Sequence, residues 1–324
     1  MKVFGDRLKF TFKICISFSL LYYLYRHIDL NLLWQALGTV NAWHFILAEL
    51  AAITFILLST TRLFLLLQDS PEARQPYFSL LRIYSIGLFF SFFSPGGISA
   101  DVVRVLQLKG NGGMLSYSIQ SILLERGLGF LALLTLCCPW FYPLTSWDVI
   151  PLFLRNICGG MMVSGTLIFL ALLLGWQKKI PMPGLWKTNL SNLRPKTLIS
   201  ALLVSFSVQG VSLVVYFQVA KSLGLGVGFL VQIPAIFLSS IANMLPISIQ
   251  GLGVNEGIFV HVLHHHGVPV ERAILFSLLV FMTSVITGLL GGILFILERN
   301  KGGQELRTGL EAKKVIFLRQ RGEL

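Results

Sequence analysis

Ser94-Pro95-Gly96-Gly97-Ile98-Ser99-Ala100-Asp101-Val102-Val103-Arg104 interrupts an apolar run over about 77–93. Proline lacks the backbone donor a helix needs, and glycine admits dihedrals a helix does not use, so a straight helix cannot continue through 95–97. Beyond the break, Asp101 and Arg104 stand three apart, share one helix face and can pair. Ser99 is placed to cap that helix, whose first amides would face any anionic group nearby. A second stretch repeats the device. Leu245-Pro246-Ile247-Ser248-Ile249-Gln250-Gly251-Leu252-Gly253-Val254-Asn255-Glu256-Gly257 ends the apolar run of about 229–245. Asn243 adds a polar group just before this break. Glu256 follows the Gly251 and Gly253 turn, where a helix N-terminus favours negative charge. At that position it can bind a cation, carry a proton or cap the returning helix, and the residues alone leave all three open.

The chain around these breaks reads as membrane protein. Of its 324 residues, 55% are hydrophobic and 12% charged, about half the charged fraction of a soluble domain. Apolar runs of about 20 residues, the length that crosses a bilayer, recur throughout. Full spans are expected at about 10–27, 43–67, 115–138, 155–175, 198–220 and 273–297. With the two broken segments this makes an all-α polytopic protein of about eight hydrophobic segments. No polar stretch is long enough to fold as a separate soluble domain. Lys2, Arg7, Lys9 and Lys13 precede the apolar Ile14–Tyr25 without a small-x-small cleavage site, which predicts an uncleaved first span.

The net charge of +12 comes from Lys and Arg lying between the apolar runs, as in a protein oriented by its loops, and not from a nucleic-acid-binding face. The 176–197 linker holds Lys178, Lys179, Lys187, Arg194 and Lys196 with no acid. The tail is basic from Arg299 through Arg321. The 139–154 linker carries Trp140, Tyr142 and Trp147 and no Lys or Arg before residue 154. Placing both termini and the 68–76 and 176–197 linkers in the cytoplasm satisfies this bias. It requires each broken segment to enter and leave on one side, the first from the cytoplasm and the second from outside. Irregular backbone at membrane depth survives only when buried in protein or lining a wet cavity, so the two tips are expected to meet. The order span, span, hairpin, span over 1–140 then recurs inverted over 150–300, an arrangement known from transporters with midplane sites. A plain eight-helix bundle is the alternative. Residues 1–300 form one membrane domain, and 301–324 a basic cytoplasmic tail able to lie on anionic lipid.

Glu125 and Arg126 fall near the middle of a span, where an ionisable group costs about 2.5–3.5 kcal/mol unless paired or wetted. Adjacent helix residues point about 100° apart, so at least one must reach another element. Asp101 and Arg104 are the nearest candidates. Arg suits a phosphate because its planar fork donates two hydrogen bonds at once. Arg62 and Arg82 are expected to snorkel to headgroups. His261, His264, His265 and His266 have helical spacing, but no Cys or carboxylate completes a zinc pattern, and a solvated polar loop is expected there. Cys15, Cys137, Cys138 and Cys158 read as small buried hydrophobes. No Gly-rich phosphate loop, nucleophile elbow or His-Glu-x-x-His motif occurs, so the sequence calls for no cofactor and no metal.

The combination resembles the membrane region of the lysylphosphatidylglycerol synthase and flippase-like family. The resemblance rests on Pro95-Gly96-Gly97 leading to Asp101-x-x-Arg104, then Glu125-Arg126. It continues with Gly251-Leu252-Gly253 leading to Glu256-Gly257, and Gly267-Val268 before Ala273. It implies handling of anionic or isoprenoid-linked lipids in a bacterial-type inner membrane, possible lipid-synthesis enzymes as partners, and a substrate site at Asp101, Arg104, Glu125, Arg126, Asn243 and Glu256. Ser99-Ala100 stands where a glycine commonly precedes the Asp, and Asn255 where an Arg often precedes the Glu. The soluble aminoacyl-transferase domain of the fullest members is not among these residues. A lipid translocase is the leading expectation. The rivals are a membrane-embedded transferase using Asp101 or Glu256 as general base, and a non-catalytic partner of a lipid-synthesis complex.

Overall fold

A computed structural model of the chain describes residues 35–69, 74–93, 97–110, 115–141, 151–173, 194–244, 248 and 250–320. The expected first span at 10–27, and Pro95, Gly96 and Pro246 of the two breaks, lie outside these residues. The described part is helical, with no strand among the described residues. Nine helices lie among the described residues: α1 Ala42–Gln68, α2 Tyr77–Ser91, α3 Ile98–Gly110, α4 Leu115–Phe141, α5 Leu152–Leu173, α6 Pro195–Ser222, α7 Phe229–Met244, α8 Val254–His265 and α9 Val270–Gln320. Four are long and apolar enough to cross a membrane: Ala42–Gln68, Leu115–Cys138, Pro195–Ser222 and Val270–Leu297. Each coincides with an expected span, and α5 covers residues 155–173 of the expected 155–175 segment. Such uniform hydropathy would leave a soluble helix without a polar face. Its exposed large residues, among them Trp43, Leu203, Leu289 and Ile293, suit a hydrocarbon surround.

The two broken segments differ in kind from these spans. Helix α2 has 15 residues and α7 has 16, about 22–24 Å of helix against a hydrocarbon core of about 30 Å. Each is followed by a second short helix packed back on it, α3 on α2 and α8 on α7. At Gly87 of α2, an added Cβ would stand 2.8 Å from the Arg104 side chain and 3.2 Å from the Ala100 carbonyl of α3, so the return helix lies directly against the entering one.

Helices α1 and α6 make the most extensive contact in the fold and run antiparallel. The Asn41 amide donates to Ser222 O at 2.7 Å at one end. His44 Nδ1 meets Gln218 Oε1 at 2.9 Å a turn further in. The Arg194 amide donates to Asp69 Oδ2 at 3.0 Å at the other end. This central pair divides the core. The first half of α1 contributes Ala48 to a cluster with Val219, Phe259, Val262 and Phe276. Its second half contributes Leu63 and Leu67 to a cluster with Leu80, Ile83 and Ile122.

Helix α9 crosses α2 on a face of glycines. A Cβ at Gly291 would stand 1.8 Å from Ser85 O, and Cβ atoms at Gly288 and Gly292 would strike the rings of Phe92 and Phe89. Small residues at a seam let backbones approach where no hydrophobic force drives helices together in lipid. Phe92, at the end of α2, also stacks edge-on against Phe281. The first break therefore lies beside the interior of the apolar stretch of α9 and not at either end of it.

Candidate functional site

The misplaced charges of the sequence form one ladder. Arg62 Nη2 of α1 donates to Glu125 Oε1 of α4 at 2.9 Å. Glu125 Oε2 accepts from Arg104 Nη1 of α3 at 3.1 Å. Arg104 Nη2 pairs with Asp101 Oδ1 one turn earlier on the same helix. Asp101 Oδ2 then meets Arg126 Nε of α4 at 2.5 Å, and Arg126 Nη2 reaches the Gly97 carbonyl in the first break at 3.4 Å. Glu125 and Arg126 are adjacent and diverge around α4, which is why one faces Arg104 and the other Asp101.

Local sequence makes room for this ladder. Gly129 lies one turn beyond Glu125, and a Cβ there would stand 2.8 Å from Arg62 Nη1. Any larger residue would push the guanidinium off its carboxylate. The ring of Tyr84 lies 4.8 Å from the Arg104 guanidinium carbon, a cation–π contact. Arg62 Nη1 also donates to Ser205 Oγ at 3.4 Å.

Arg62 does not snorkel. It is buried because Glu125 accepts from it, and the cost of a carboxylate at that depth is met by two guanidinium groups. Nothing in the local sequence around Arg62 announces this, since its partner is more than sixty positions away. Only the placement of an unmatched acid in α4 hinted that a second cation was needed. Three arginines against two acids leave the ladder one positive charge in excess. Burial is graded along it. Glu125 is 1% exposed, Arg62 6% and Arg104 7%, whereas the side chains of Asp101 and Arg126 are 22% and 32% exposed. The excess charge is accessible at the Arg126 end, beside the break. Ser99 lies inside α3 and is not its cap; its hydroxyl instead donates to Phe90 O, tying α3 to the end of α2.

The second break is closed by uncharged groups and one carboxylate. Gln250, Gly251 and Gly253 take positive φ values of 51°, 77° and 84°. Gly251 is wedged between two amides, so a Cβ would stand 2.1 Å from both Asn243 Oδ1 and Asn255 Nδ2. Asn255 Nδ2 donates to Asn243 Oδ1 at 3.2 Å, and Ser239 Oγ donates to Asn255 Oδ1 at 2.7 Å. Glu256 is buried; its Oε2 accepts the Gly253 amide at 2.6 Å, and its Oε1 accepts from Ser277 Oγ of α9 at 3.3 Å. Of the three roles the sequence leaves open, this geometry is that of a cap on the returning helix.

The breaks touch each other. Gln250 Nε2 donates to Ser91 Oγ at the end of α2. Around this contact lies a cavity of about 170 Å³ walled by α1, α2, α6 and α9. Ser91, Ser212, Gln250, Thr283, Ser284 and Thr287 supply its polar lining, Phe55, Ile56, Leu88 and Val280 its apolar side, and no lining residue is charged.

His261, His264 and His265 lie in the last turns of α8, not in a loop, and only His266 and Gly267 form the turn. Hydrogen bonds from the chain leaving the helix carry α8 that far, including those of the His266 amide to Leu263 O and the Val268 amide to Leu263 O. The Nδ1 atoms of His264 and His266 are engaged with the Val268 and Val262 carbonyls. Cys137, Cys138 and Cys158 carry free thiols.

No curated protein and no solved structure matches the chain. A family model described as the lysylphosphatidylglycerol synthase TM region matches residues 10–292, which takes in both breaks, the ladder and the cavity. The chain therefore belongs to the lysylphosphatidylglycerol synthase transmembrane-region family and is a membrane-embedded, multi-pass, lipid-associated protein.

Proposed function

We propose that this protein is a lipid translocase of a bacterial-type inner membrane, and that an anionic lipid headgroup engages Arg126 where the charge ladder opens at the first break. The observation that carries the reading is the excess positive charge at the accessible end of a ladder whose other two arginines are each paired with a carboxylate. Arg104 and Arg62 hold Glu125, Asp101 is anchored by Arg104, and Asp101 in turn orients Arg126. Arg104, Asp101 and Glu125 thus position the headgroup ligand, and a phosphate exchanging with Asp101 at Arg126 gains a bidentate partner. The hydroxyl-lined cavity beside Gln250 offers a further polar station among apolar walls, and Asn243 and Glu256 brace the turn that carries Gln250.

The same proposal takes α2–α3 and α7–α8 as re-entrant hairpins of inverted repeats covering 1–140 and 150–300. In support, α2 and α7 are too short to cross, the breaks touch each other beside the interior of α9, and the corresponding helices α1 and α6 run antiparallel. The Gln68 and Pro195 ends face the cytoplasm in this topology, together with both termini and the 301–324 tail.

The test uses purified protein in phosphatidylcholine vesicles carrying a trace of fluorescent phosphatidylglycerol, with a membrane-impermeant quencher reporting movement between leaflets. Wild type is expected to move the anionic probe faster than a phosphatidylcholine probe. Arg126→Ala is expected to lose about 10-fold or more, the equivalent of one charge-assisted contact, and Arg126→Lys to recover part of it. Equal rates for wild type and Arg126→Ala would overturn the site. Product formation from a headgroup donor would move the protein to the transferases.

A further inference from the structure

Glu49 belongs to none of the motifs of either break. It lies seven residues into α1, roughly 10 Å along the helix from its Ala42 end, and Trp43 at that end is 65% exposed, as an interfacial aromatic is. Both carboxyl oxygens of Glu49 are buried and neither has a hydrogen-bond partner among the described residues. Every other acid this deep in the described helices is matched: Glu125 by two arginines, Asp101 by two, and Glu256 by an amide and a hydroxyl. An unpaired carboxylate out of water costs several kcal/mol or more, and such a group avoids the cost by holding a proton.

Its position gives that proton somewhere to go. Residues 49, 52 and 56 follow helical i, i+3, i+7 spacing and share one face of α1. Ala52 and Ile56 line the hydroxyl-rich cavity, so Glu49 stands one turn outward of it, between the cavity and the Ala42 end. Among the described residues, the charged and titratable groups of the surrounding elements are engaged elsewhere. His44 of α1 is engaged with Gln218, and Lys221 of α6 lies over the Phe217 ring. On α6, Tyr216 faces the cavity and Phe259. Helix α9 offers Glu271 and Arg272, both in its first turn beside Ala36 and Thr39. Of the titratable groups on α2 and α4, Tyr84, Glu125 and Arg126 belong to the ladder, Tyr117 packs into the cluster of Ile56, Leu63 and Leu67, Arg82 has a partner of its own, and Tyr77 bonds to Leu57 O and Thr61.

We infer that Glu49 binds one proton from the outer face and couples lipid movement past the hydroxyl-lined cavity to the proton gradient. The coupling rests on the translocase reading above, but the protonation does not. The chemistry is a single reversible step, carboxylate plus proton giving the neutral carboxyl.

Two measurements on full-length protein in vesicles test it. The first is labelling with dicyclohexylcarbodiimide, which reacts with neutral carboxyls in apolar surroundings, mapped by peptide mass spectrometry across pH. An adduct at Glu49 that falls as pH rises is expected. Absence of label there, or a label independent of pH, would overturn the proton site whatever the protein transports. The second is probe movement under an imposed gradient of one pH unit, which changes proton occupancy by up to about tenfold. Wild type is expected to respond and Glu49→Gln to move lipid without responding. A Glu49→Gln response equal to wild type overturns the coupling and leaves the translocase reading standing. No movement by wild type defeats that reading and the coupling together, while the labelling result still decides whether Glu49 binds a proton.

Discussion

In the first break the stabilising charges come largely from elsewhere. Arg62 on α1 and Glu125 on α4 complete a ladder that α3 only begins with Asp101 and Arg104. In the second, the partners are mostly local. Asn243, Asn255, Ser239 and Gly253 belong to α7, α8 and the turn between them, and only Ser277 reaches in from α9. Two segments of nearly the same length, broken by the same Pro and Gly device, thus satisfy buried backbone and charge by opposite means. One is fastened to its neighbours by ion pairs, the other to itself by amides. The first can expose an unmatched charge because its partners are distributed. The second, closed on itself, has none to offer.

The largest test of this contrast removes one acid from each. Glu125→Ala leaves two buried guanidinium groups facing each other and is expected to cost about 3–5 kcal/mol, the usual penalty for breaking a buried pair from one side. Glu256→Ala strands an amide and a hydroxyl, for about 1–3 kcal/mol. Thermal unfolding of both variants in one detergent measures the difference. A Glu256→Ala loss equal to or larger than that of Glu125→Ala would break the contrast between distributed and local fastening.

Backbone constraint should rank the two the other way. Gly251→Ala combines a left-handed backbone, about 1–2 kcal/mol for an L residue, with contacts at 2.1 Å to two side-chain amides, and such overpacking adds about 1–3 kcal/mol. Gly97 also has positive φ, 64°, but the nearest atom to its added Cβ is Arg126 Nη2 at 3.5 Å. Gly97→Ala should therefore cost only the backbone share. Unfolding midpoints that fall equally for both would show that the second break is not the more tightly packed of the two.

Much of this architecture was open to inspection in the sequence, for physical reasons. Four apolar stretches coincide with the long helices because the hydrocarbon thickness fixes their length. The ends of α2 and α7 are legible because Pro and Gly forbid continuation. The Asp101–Arg104 pair follows from helical spacing. What lay beyond reach was the match between distant elements. Arg62 looked like a snorkelling residue because local sequence says nothing of Glu125 across the bundle. Glu49 carries no signal in the sequence, because a lone acid near a helix end is ordinary until the described elements around it offer no partner. The His261–His265 stretch reads as loop in the sequence yet is helix, because imidazoles can end a helix as readily as they can punctuate one.

The smallest effect on the fold is the one that sharpens the functional reading. Arg126 is a third exposed and pairs with an Asp101 that Arg104 already holds. Exposed ion pairs contribute about 0–1 kcal/mol, so Arg126→Ala should lower stability by no more than that, far less than the loss of Glu125. Its unfolding midpoint should therefore stay close to wild type even as movement of the anionic probe falls. A structural fastener would show the reverse, with stability and lipid movement declining together. Measuring both on the same preparation separates a residue that meets the lipid from one that only holds the ladder upright. A large loss of stability at Arg126 would return the accessible end of the ladder to the same structural role as its buried end.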